Sequence, residues 1–144
     1  MTLLLSRKGL LAIAAVTDVA VHSRGRPVSA KNLAARHALP ARHLEPVLQA
    51  LVREGILKGI RGPHGGYQLA RERRRITANE ILRAARSVDN PDEQAAADST
   101  LLNNVVVPAV AQAERAFAAA LGRINVEDLA RRAEPFREAR PDAG

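Results

Sequence analysis

Two helical patterns separated by a short break restrict the fold of this chain more than any other feature. The first pattern covers residues 30–36 and follows Ser29, a residue type that commonly caps a helix N-terminus. Pro40 ends the break, because proline forces the residue before it into extended geometry. The second pattern covers residues 41–54, and Gly55 is suited to the position that ends a helix. Such a pair is typical of a helix-turn-helix.

Both predicted helices have an apolar side that can face a common core. Pro46 lies well inside the second helix, where it cannot donate a backbone hydrogen bond. We therefore expect a local bend there, or a helix that begins later than residue 41. The predicted core residues of the pair are Leu33, Ala34, Leu44, Val47, Leu48 and Leu51.

A short β-hairpin is predicted directly after this pair of helices. Residues 56–60 form the first strand, the glycine-rich residues 62–66 form the turn, and residues 67–69 form the returning strand. A two-stranded hairpin is only marginally stable by itself, so it must pack on the helices. We expect Tyr67 to anchor it there.

One further helix on each side completes the N-terminal part. Apolar residues at helical spacing predict a helix over residues 6–21, with Ser6 as its N-cap, and Thr77 caps a helix over residues 78–86. The chain is 47% hydrophobic but only 2% aromatic. That composition favours helices packed through small side chains over an aromatic-rich β-sandwich.

The C-terminal part contains one long predicted helix with a narrow apolar seam. The helix covers residues 100–123, and most of its apolar positions recur at alternating steps of 4 and 3 residues. This spacing suits pairing with another helix. We expect the partner to be a second chain, and packing against the same chain's own domain is the alternative. The seam residues are Leu102, Val106, Val110, Ala113, Phe117, Ala120, Leu121 and Ile124.

These patterns define the fold class and the domains. The fold is predicted to be mainly α with a small β-hairpin: a winged helix-turn-helix domain followed by a long C-terminal dimerisation helix. The winged domain covers residues 1–87, and an acidic linker covers residues 88–99. Residues 100–133 hold the dimerisation helix and a short helix over 126–133, and residues 134–144 are expected to be a disordered tail.

The positive charge is confined to the N-terminal part. Residues 1–86 contain 16 Lys and Arg against 5 Asp and Glu, whereas residues 87–144 contain 6 against 10. A net charge of +11 on one domain suits a polyanion such as nucleic acid or an anionic membrane surface. The alternative is a charged surface that only keeps the protein soluble.

A winged helix-turn-helix suits duplex DNA, because a helix fits the major groove while a basic hairpin reaches the minor groove or the phosphates. Arg42 and His43 lie in the first turn of the second helix of the pair, and Glu45 follows them. Glu45 either reads a base or only holds Arg42 in position. The candidate DNA-contacting residues are Lys31, Arg42, His43, Glu45, Lys58, Arg61, Gly62 and His64. A basic surround is predicted from Arg36, Arg53, Arg71, Arg73, Arg74 and Arg75.

Three segments carry a resemblance to a known family. They are Leu-Glu-Pro-Val-Leu-Gln-Ala-Leu at 44–51, Gly-Ile-Leu at 55–57 and Arg-Gly-Pro-His-Gly-Gly-Tyr-Gln-Leu-Ala at 61–70. The chain from about Thr2 to Ala133 resembles the Rrf-two family of bacterial transcription factors (IscR/NsrR/CymR-like). The resemblance implies a homodimer with Arg61 in the minor groove, Glu45 on the groove-reading helix, and dimerisation through the long helix.

The chain departs from that family in its metal ligands. Many members hold an iron–sulfur cluster through three cysteines between the short helix and the long one, but this chain has no cysteine. The absence of cysteine also excludes disulfides and thiolate zinc sites. Carboxylates occupy the matching stretch, residues 88–104, and they are poor ligands for such clusters. We expect a cysteine-free member without a cofactor, and a solvated linker rather than a hard-metal site.

Other functions have little support in the sequence. His22, His37, His43 and His64 lack metal-ligand spacing, and the glycine-rich turn lacks the residues of a nucleotide-binding loop. No nucleophile–base pair or acid–base carboxylate pair indicates an enzyme. No run of apolar residues is long enough to span a membrane, so a cytoplasmic protein without a membrane partner is expected.

The sequence therefore predicts a dimeric, sequence-specific DNA-binding transcriptional regulator without an iron–sulfur cluster. We expect it to be a repressor that binds a pseudo-palindromic operator, and an unknown small molecule or protein can act as its effector. The alternative is a protein-interaction adaptor that retains the winged-helix fold and binds DNA only non-specifically.

Overall fold

The computed structural model describes residues 7–86, 104–105 and 107–136. Within them, helices surround a two-stranded antiparallel hairpin, which confirms the mainly α winged helix-turn-helix fold. Short 3₁₀ turns cover Arg73–Arg75 and Glu134–Phe136. The elements are α1 (Arg7–His22), α2 (Ala30–Arg36), α3 (Ala41–Arg53), β1 (Leu57–Ile60), β2 (Gly66–Leu69), α4 (Ala78–Arg86), α5 (Val107–Leu121) and α6 (Val126–Ala133).

Helix α1 lies at the centre of the core. Its inner face consists of small residues, and Ala12, Ala15, Val16 and Val19 have no exposed surface. Small side chains allow α4 and α6 to pack closely against it. The helix ends one residue beyond the predicted end, and the predicted cap Ser6 lies outside the described residues.

Helix α2 begins and ends where local signals predicted. The Ser29 hydroxyl accepts a hydrogen bond from the Asn32 backbone N–H at 3.1 Å, which confirms the predicted N-cap. Leu33 and Ala34 are buried as expected. The turn that follows contains Ala38 with a φ of 53°, in the left-handed region that favours glycine.

Helix α3 also confirms most of its prediction. Leu44, Val47, Leu48 and Leu51 are all buried. At its end Gly55 has a φ of 75°, and the N–H groups of Gly55 and Ile56 donate to the carbonyls of Val52 and Leu51, at 3.0 and 2.9 Å. This pair of bonds is a Schellman motif.

Pro46 does not delay the start of α3. The helix begins at Ala41, so the expectation of a later start is wrong. Pro46 is exposed and cannot donate to the carbonyl of Arg42, one turn earlier. The buried apolar residues on the opposite side of the helix offset the lost hydrogen bond.

The hairpin is held to the helices by its backbone as well as its side chains. Strands β1 and β2 pair with Leu57 opposite Leu69 and Ile60 opposite Gly66. Val28, in the turn before α2, exchanges two backbone hydrogen bonds with Tyr67, at 2.8 and 2.9 Å. The Tyr67 side chain is half-buried and packs on the core, which confirms its anchoring role.

Helix α4 is set by a reciprocal capping box. The Glu80 N–H donates to the Thr77 hydroxyl, and the Thr77 N–H donates to the Glu80 carboxylate, both at 3.2 Å. Ile81 and Leu82 are buried on its inner face. The predicted helix over residues 78–86 is therefore confirmed.

Helix α5 lies largely outside the core. Ala113 is exposed, while Phe117 and Leu121 are only half-buried, and Ile124 beyond the helix is 36% exposed. The predicted seam residues Leu102 and Val106 lie outside the described residues, as does the linker over 88–99, and the side chain of Val110 is not described.

Helix α6 packs on α1, although the sequence grouped it with the dimerisation helix. Val126 and Ala130 are buried in the same core as α1. The Val126 N–H donates to the Ile76 carbonyl, and the Ala78 N–H donates to the Ile124 carbonyl, both at 2.9 Å. These contacts join the C-terminal end of the chain to the winged domain. Nothing in the described ranges is a helix long and apolar enough to cross a membrane.

Candidate nucleic-acid interface

The outer face of α3 presents polar side chains at helical spacing. Leu44, Leu48 and Leu51 hold the opposite face in the core, so the orientation of the outer face is fixed. In the described part of the chain, no ion pair or side-chain hydrogen bond joins Glu45 to Arg42, and the idea that Glu45 only holds Arg42 has no support there. The exposed residues of α3 are Arg42, His43, Glu45, Pro46, Gln49 and Arg53.

The wing places a second cationic group beside α3. Arg61 and Gly62 are exposed at the start of the turn, and Gly62 has a φ of 116°, which glycine tolerates best. A groove of about 510 Å³ separates the wing from α3, with Arg61 and Gly62 on one wall and Gln49 on the other. The structure thus brings the wing arginine to the exposed side of α3.

The two glycines that close the wing turn cannot be replaced by larger residues. A Cβ on Gly65 would overlap the carbonyl oxygen of Ile60, and one on Gly66 would overlap the backbone of Val28. The glycine-rich sequence is therefore needed for the turn itself and for its close approach to the segment before α2.

A third group of polar residues lies between the turn before α2 and the tip of the wing. Arg26 and Asn32 face Pro63 and His64 across a groove of about 560 Å³. Lys31 on α2 and Lys58 on β1 are exposed but line none of these grooves. The predicted DNA-contacting residues therefore lie on three neighbouring elements rather than in one cavity.

Several cations of this surface have no partner inside the protein. Within residues 7–86, 104–105 and 107–136, their cationic side chains make no ion pair and no hydrogen bond. They lie on the turn before α2, on α2, on α3 and on the wing. They are Arg24, Arg26, Lys31, Arg42, Arg53, Lys58 and Arg61.

The sequence missed three polar residues of this surface. Gln49 follows Arg42 by seven residues, which is two helical turns, so this spacing was the available signal. Asn32 and Arg26 had no such signal, because their position depends on how the segment before α2 meets the wing.

Several arginines of the predicted basic surround bind groups within the protein. Arg71 donates to the Gly55 carbonyl and to Glu80, both at 3.3 Å. Arg73 donates to the Ala20 carbonyl at 2.5 Å. Arg74 pairs with Glu72 at 3.1 Å. These arginines join the 3₁₀ turn to its neighbours and are less available to a polyanion.

Arg36 is likewise held inside, by Asp18 of α1. Its Nη2 donates to Oδ1 at 2.7 Å and its Nε donates to Oδ2 at 2.9 Å, a bidentate pair. Asp18 is 8% exposed. Its carboxylate also faces His37 Nε2 at 3.2 Å and His22 Nδ1 at 3.3 Å. The cluster joins α1 to the end of α2, just before the turn that leads into α3.

The charge state of Asp18 follows from these neighbours. Burial raises the pKa of its carboxyl, but the facing His37 and Arg36 side chains, together with the charge of His22, outweigh burial. The pKa of Asp18 is therefore lowered, and the carboxylate stays ionised at neutral pH. Arg36 is the main partner of the carboxylate, because its Nη2 donates a hydrogen bond to Asp18 Oδ1. His37 Nε2 lies near the carboxylate but forms no hydrogen bond with it.

Comparison with known proteins identifies the family. Residues 5–132 match the model of the Rrf2 (Rrf-two) family, described as iron-dependent transcriptional regulators. The chain belongs to the Rrf2 family. A Synechocystis sp. protein, slr0846, assigned as an HTH-type transcriptional regulator, is 34% identical over 126 residues, which cover 87% of this chain and 86% of that protein.

The HTH-type transcriptional regulator IscR of Xenorhabdus nematophila is 37% identical over 86 residues, or 59% of this chain. That match spans 52% of IscR, about half of its length. Among solved structures, T. potens IscR has a TM-score of 0.72 and 30% identity, covering 97% of this chain and 95% of that chain. CymR, described as the global cysteine regulator of B. subtilis, has a TM-score of 0.68 and 27% identity, covering 91% and 98%. These Rrf2 relatives are named as regulators rather than enzymes, as the sequence predicted.

The residues of this Rrf2 protein do not fit a cysteine-ligated iron–sulfur cluster. The chain has no cysteine to supply thiolates. In the described ranges, no group of three His, Asp or Glu side chains could hold a metal ion. Asp18, His22 and His37 do converge, but Arg36 occupies both carboxylate oxygens.

Proposed function

We propose that this Rrf2 protein is a dimeric, sequence-specific DNA-binding transcriptional regulator that acts as a repressor without an iron–sulfur cluster. The observation that carries the proposal is the exposed polar face of α3 beside a cationic wing, with cations that no partner among the described residues neutralises. Such a surface complements the phosphate backbone of DNA.

In the proposed complex α3 lies in the major groove. Arg42 is suited to a guanine, because its guanidinium can donate two hydrogen bonds to O6 and N7. Glu45 is suited to a cytosine, whose N4 amino group donates to a carboxylate. His43 and Gln49 share the same face and can donate to or accept from base edges.

The wing and the neighbouring elements supply the remaining contacts. Arg61 reaches the adjacent minor groove, which is most negative where it is narrow and A·T-rich. Lys31, Lys58 and His64 lie on elements beside it and contact phosphates. Gly62 allows the wing backbone to approach the DNA closely.

Dimerisation through α5 is the second element of the proposal. Ala113, Ala116 and Ala120 are exposed along this helix, and Phe117 and Leu121 are only half-buried. An apolar helix face of this kind is stabilised when a second copy covers it. Two-fold symmetry of the dimer then requires an operator with two inverted half-sites.

Repression follows from occupancy, since a dimer bound across a promoter excludes other proteins from the same DNA. A regulator of a bacterial chromosome acts in the cytoplasm. Because the chain lacks thiolate ligands, its signal comes from an effector other than a cysteine-ligated cluster.

Sequencing genomic DNA fragments retained by the purified full-length protein tests this proposal. We expect enrichment of an inverted repeat whose half-sites lie about one helical turn, or a multiple of it, apart. A duplex with the same base composition in scrambled order serves as the control. Equal affinity for the operator and the scrambled duplex at physiological salt would contradict sequence-specific regulation and favour the adaptor.

A further inference from the structure

A groove of about 660 Å³ separates α1 from the helix-turn-helix. Its size lies within the range of sites for small organic ligands. Helix α1, the turn after α2, and α3 each contribute to it. The lining residues are Lys8, Leu10, Leu11, Ala14, His37, Leu39, Arg42, His43, Pro46 and Val47.

The walls of this α1–α3 groove are mainly apolar and partly exposed. Leu10 on α1 is 43% exposed, although it belongs to a helix whose other face forms the core. Leu39 is half-buried and Pro46 is exposed on the opposite wall. Covering such surface with an apolar group is favourable, because it removes apolar area from water.

The charges at the groove have one sign. Among the residues that the structure describes, Lys8 and Arg42 are the charged ones that line it, and no carboxylate does. Both are exposed, and in the described part of the chain neither side chain has an ion pair or a hydrogen bond. An apolar groove with unpartnered cations complements a molecule that joins an apolar body to an anionic group.

The groove also shares residues with the proposed DNA-reading surface. Arg42 and His43 line it, and both lie in the first turn of α3. An anion that binds Arg42 in the groove removes that side chain from a guanine. A ligand there therefore competes directly with DNA and needs no change of fold.

We infer that the α1–α3 groove is an effector site for a soluble organic acid with an apolar chain or ring, and that its occupancy releases DNA. The carboxylate pairs with Lys8 and Arg42, and the apolar body covers Leu10, Leu39 and Pro46. The second half of this inference rests on the proposed function, whereas binding of the acid does not.

Calorimetric titration of the full-length protein without DNA tests the site. Decanoate is the anionic probe, and decanol is the matched uncharged probe. We expect one decanoate to bind per chain, up to about 25-fold more tightly than decanol, because each of its two exposed ion pairs contributes at most about fivefold. Equal affinity for the two probes, or no binding of decanoate, would overturn the inference.

A matched pair of variants locates the binding. Lys8→Gln should weaken decanoate about fivefold and leave decanol unchanged, since it removes one cation of the groove. Arg132→Gln, on the exposed side of α6 and away from the groove, should change neither. An equal effect of the two variants would show non-specific attraction of the acid to a cationic protein, which also overturns the site.

A competition experiment tests the link to DNA. Decanoate at ten times its own Kd should raise the apparent Kd for the selected operator at least about tenfold in the wild type, as a competitor does. The shift should be smaller for Lys8→Gln, whose direct DNA contacts are intact. Unchanged operator affinity would overturn the effector role.

The outcomes separate the two proposals. If the protein binds no operator but the titrations behave as expected, the proposed function fails while the ligand site stands. If decanoate binds only a monomeric variant and not the dimer, a second copy covers the groove, and the ligand site is wrong.

Discussion

Asp18 shows how one residue can position a surface that it does not touch. Within residues 7–86, 104–105 and 107–136 it is the one charged residue that is buried. Removing a carboxylate from water is costly, and the bidentate Arg36 offsets the cost only while both partners are present. Because the pair joins α1 to the last turn of α2, it fixes the turn from which α3 starts.

Replacing Asp18 tests this role through stability and its pH dependence. Asp18→Asn leaves Arg36 without its anion, so the free energy of unfolding should fall by about 3 kcal/mol at pH 7. The folded pKa of Asp18 is lowered from 3.8, so its contribution is complete above that value. The difference between wild type and variant should therefore persist from pH 7 to 5, and shrink as the pH falls below 3.8.

Urea denaturation at each pH measures this difference. Glu72→Gln, which removes the exposed partner of Arg74, is the control and should change stability by less than about 1 kcal/mol. A similar loss in both variants, or a difference that grows as the pH falls below 3.8, would contradict the assigned role of Asp18.

Arg61 is a second single residue with a defined role, because its side chain alone is expected to account for minor-groove recognition. Arg61→Ala should weaken operator binding about tenfold where the flanking minor groove is A·T-rich, and less where it is G·C-rich. Fluorescence anisotropy with the two operator versions measures the effect. Arg74→Ala is the control, because Arg74 already pairs with Glu72. A loss that does not depend on the flanking sequence would place Arg61 on a phosphate instead.

At the scale of elements, the sequence predicted the helix starts and ends that are set by contacts between near neighbours in the chain. The start of α2 follows from the Ser29 cap, the end of α3 from Gly55, and α4 from the Thr77–Glu80 capping box, each a contact between near neighbours. The exposed candidates on α3 followed in the same way, from helical spacing around a buried face.

Contacts between distant segments were not predictable in this way. Arg36 was expected to contribute to a basic surround, but it pairs with Asp18, 18 residues away on another helix. The short helix α6 was grouped with α5, but its apolar residues fit the face of α1. The α1–α3 groove exists only because of how these helices cross. Each of these features depends on packing geometry, which residue spacing does not encode.

The exposed face of α5 leads to a prediction about assembly. Ala113→Glu places a charge within the proposed seam, where a second copy would bury it without a partner. The dimer dissociation constant should rise by at least about 30-fold, given the cost of an unpaired buried charge. Gln112→Glu adds the same charge one residue outside the seam and should have little effect. Sedimentation equilibrium measures both, and a wild type that is monomeric at micromolar concentration would refute the seam.

At the scale of the whole molecule, charge is divided between two parts of the chain. Residues 1–86 carry a net charge of +11 and residues 87–144 carry −4. Part of the positive excess is neutralised internally, as by Asp18 and Glu80, while seven cations near α2, α3 and the wing have no partner in the described residues. These seven cations leave free positive charge on the surface proposed to face DNA.

The salt dependence of DNA binding reports how many phosphates this surface contacts. If a dimer neutralises about six to ten phosphates, its operator affinity should fall roughly a thousandfold or more between 50 and 200 mM salt. A scrambled duplex should show a similar slope at lower affinity, since phosphate contacts do not depend on sequence. Operator affinity that hardly changes with salt would mean that the free cations do not contact the backbone.

The paired backbone bonds between Val28 and Tyr67 have a consequence for DNA mechanics. They restrict independent movement of the hairpin, so the position of the wing relative to α3 is fixed. A duplex can contact both elements only if the offset between its major and minor grooves matches the spacing of α3 and the wing. That groove offset varies with the local twist of the DNA. Torsional stress in the chromosome would then alter occupancy at operators whose base sequence is unchanged.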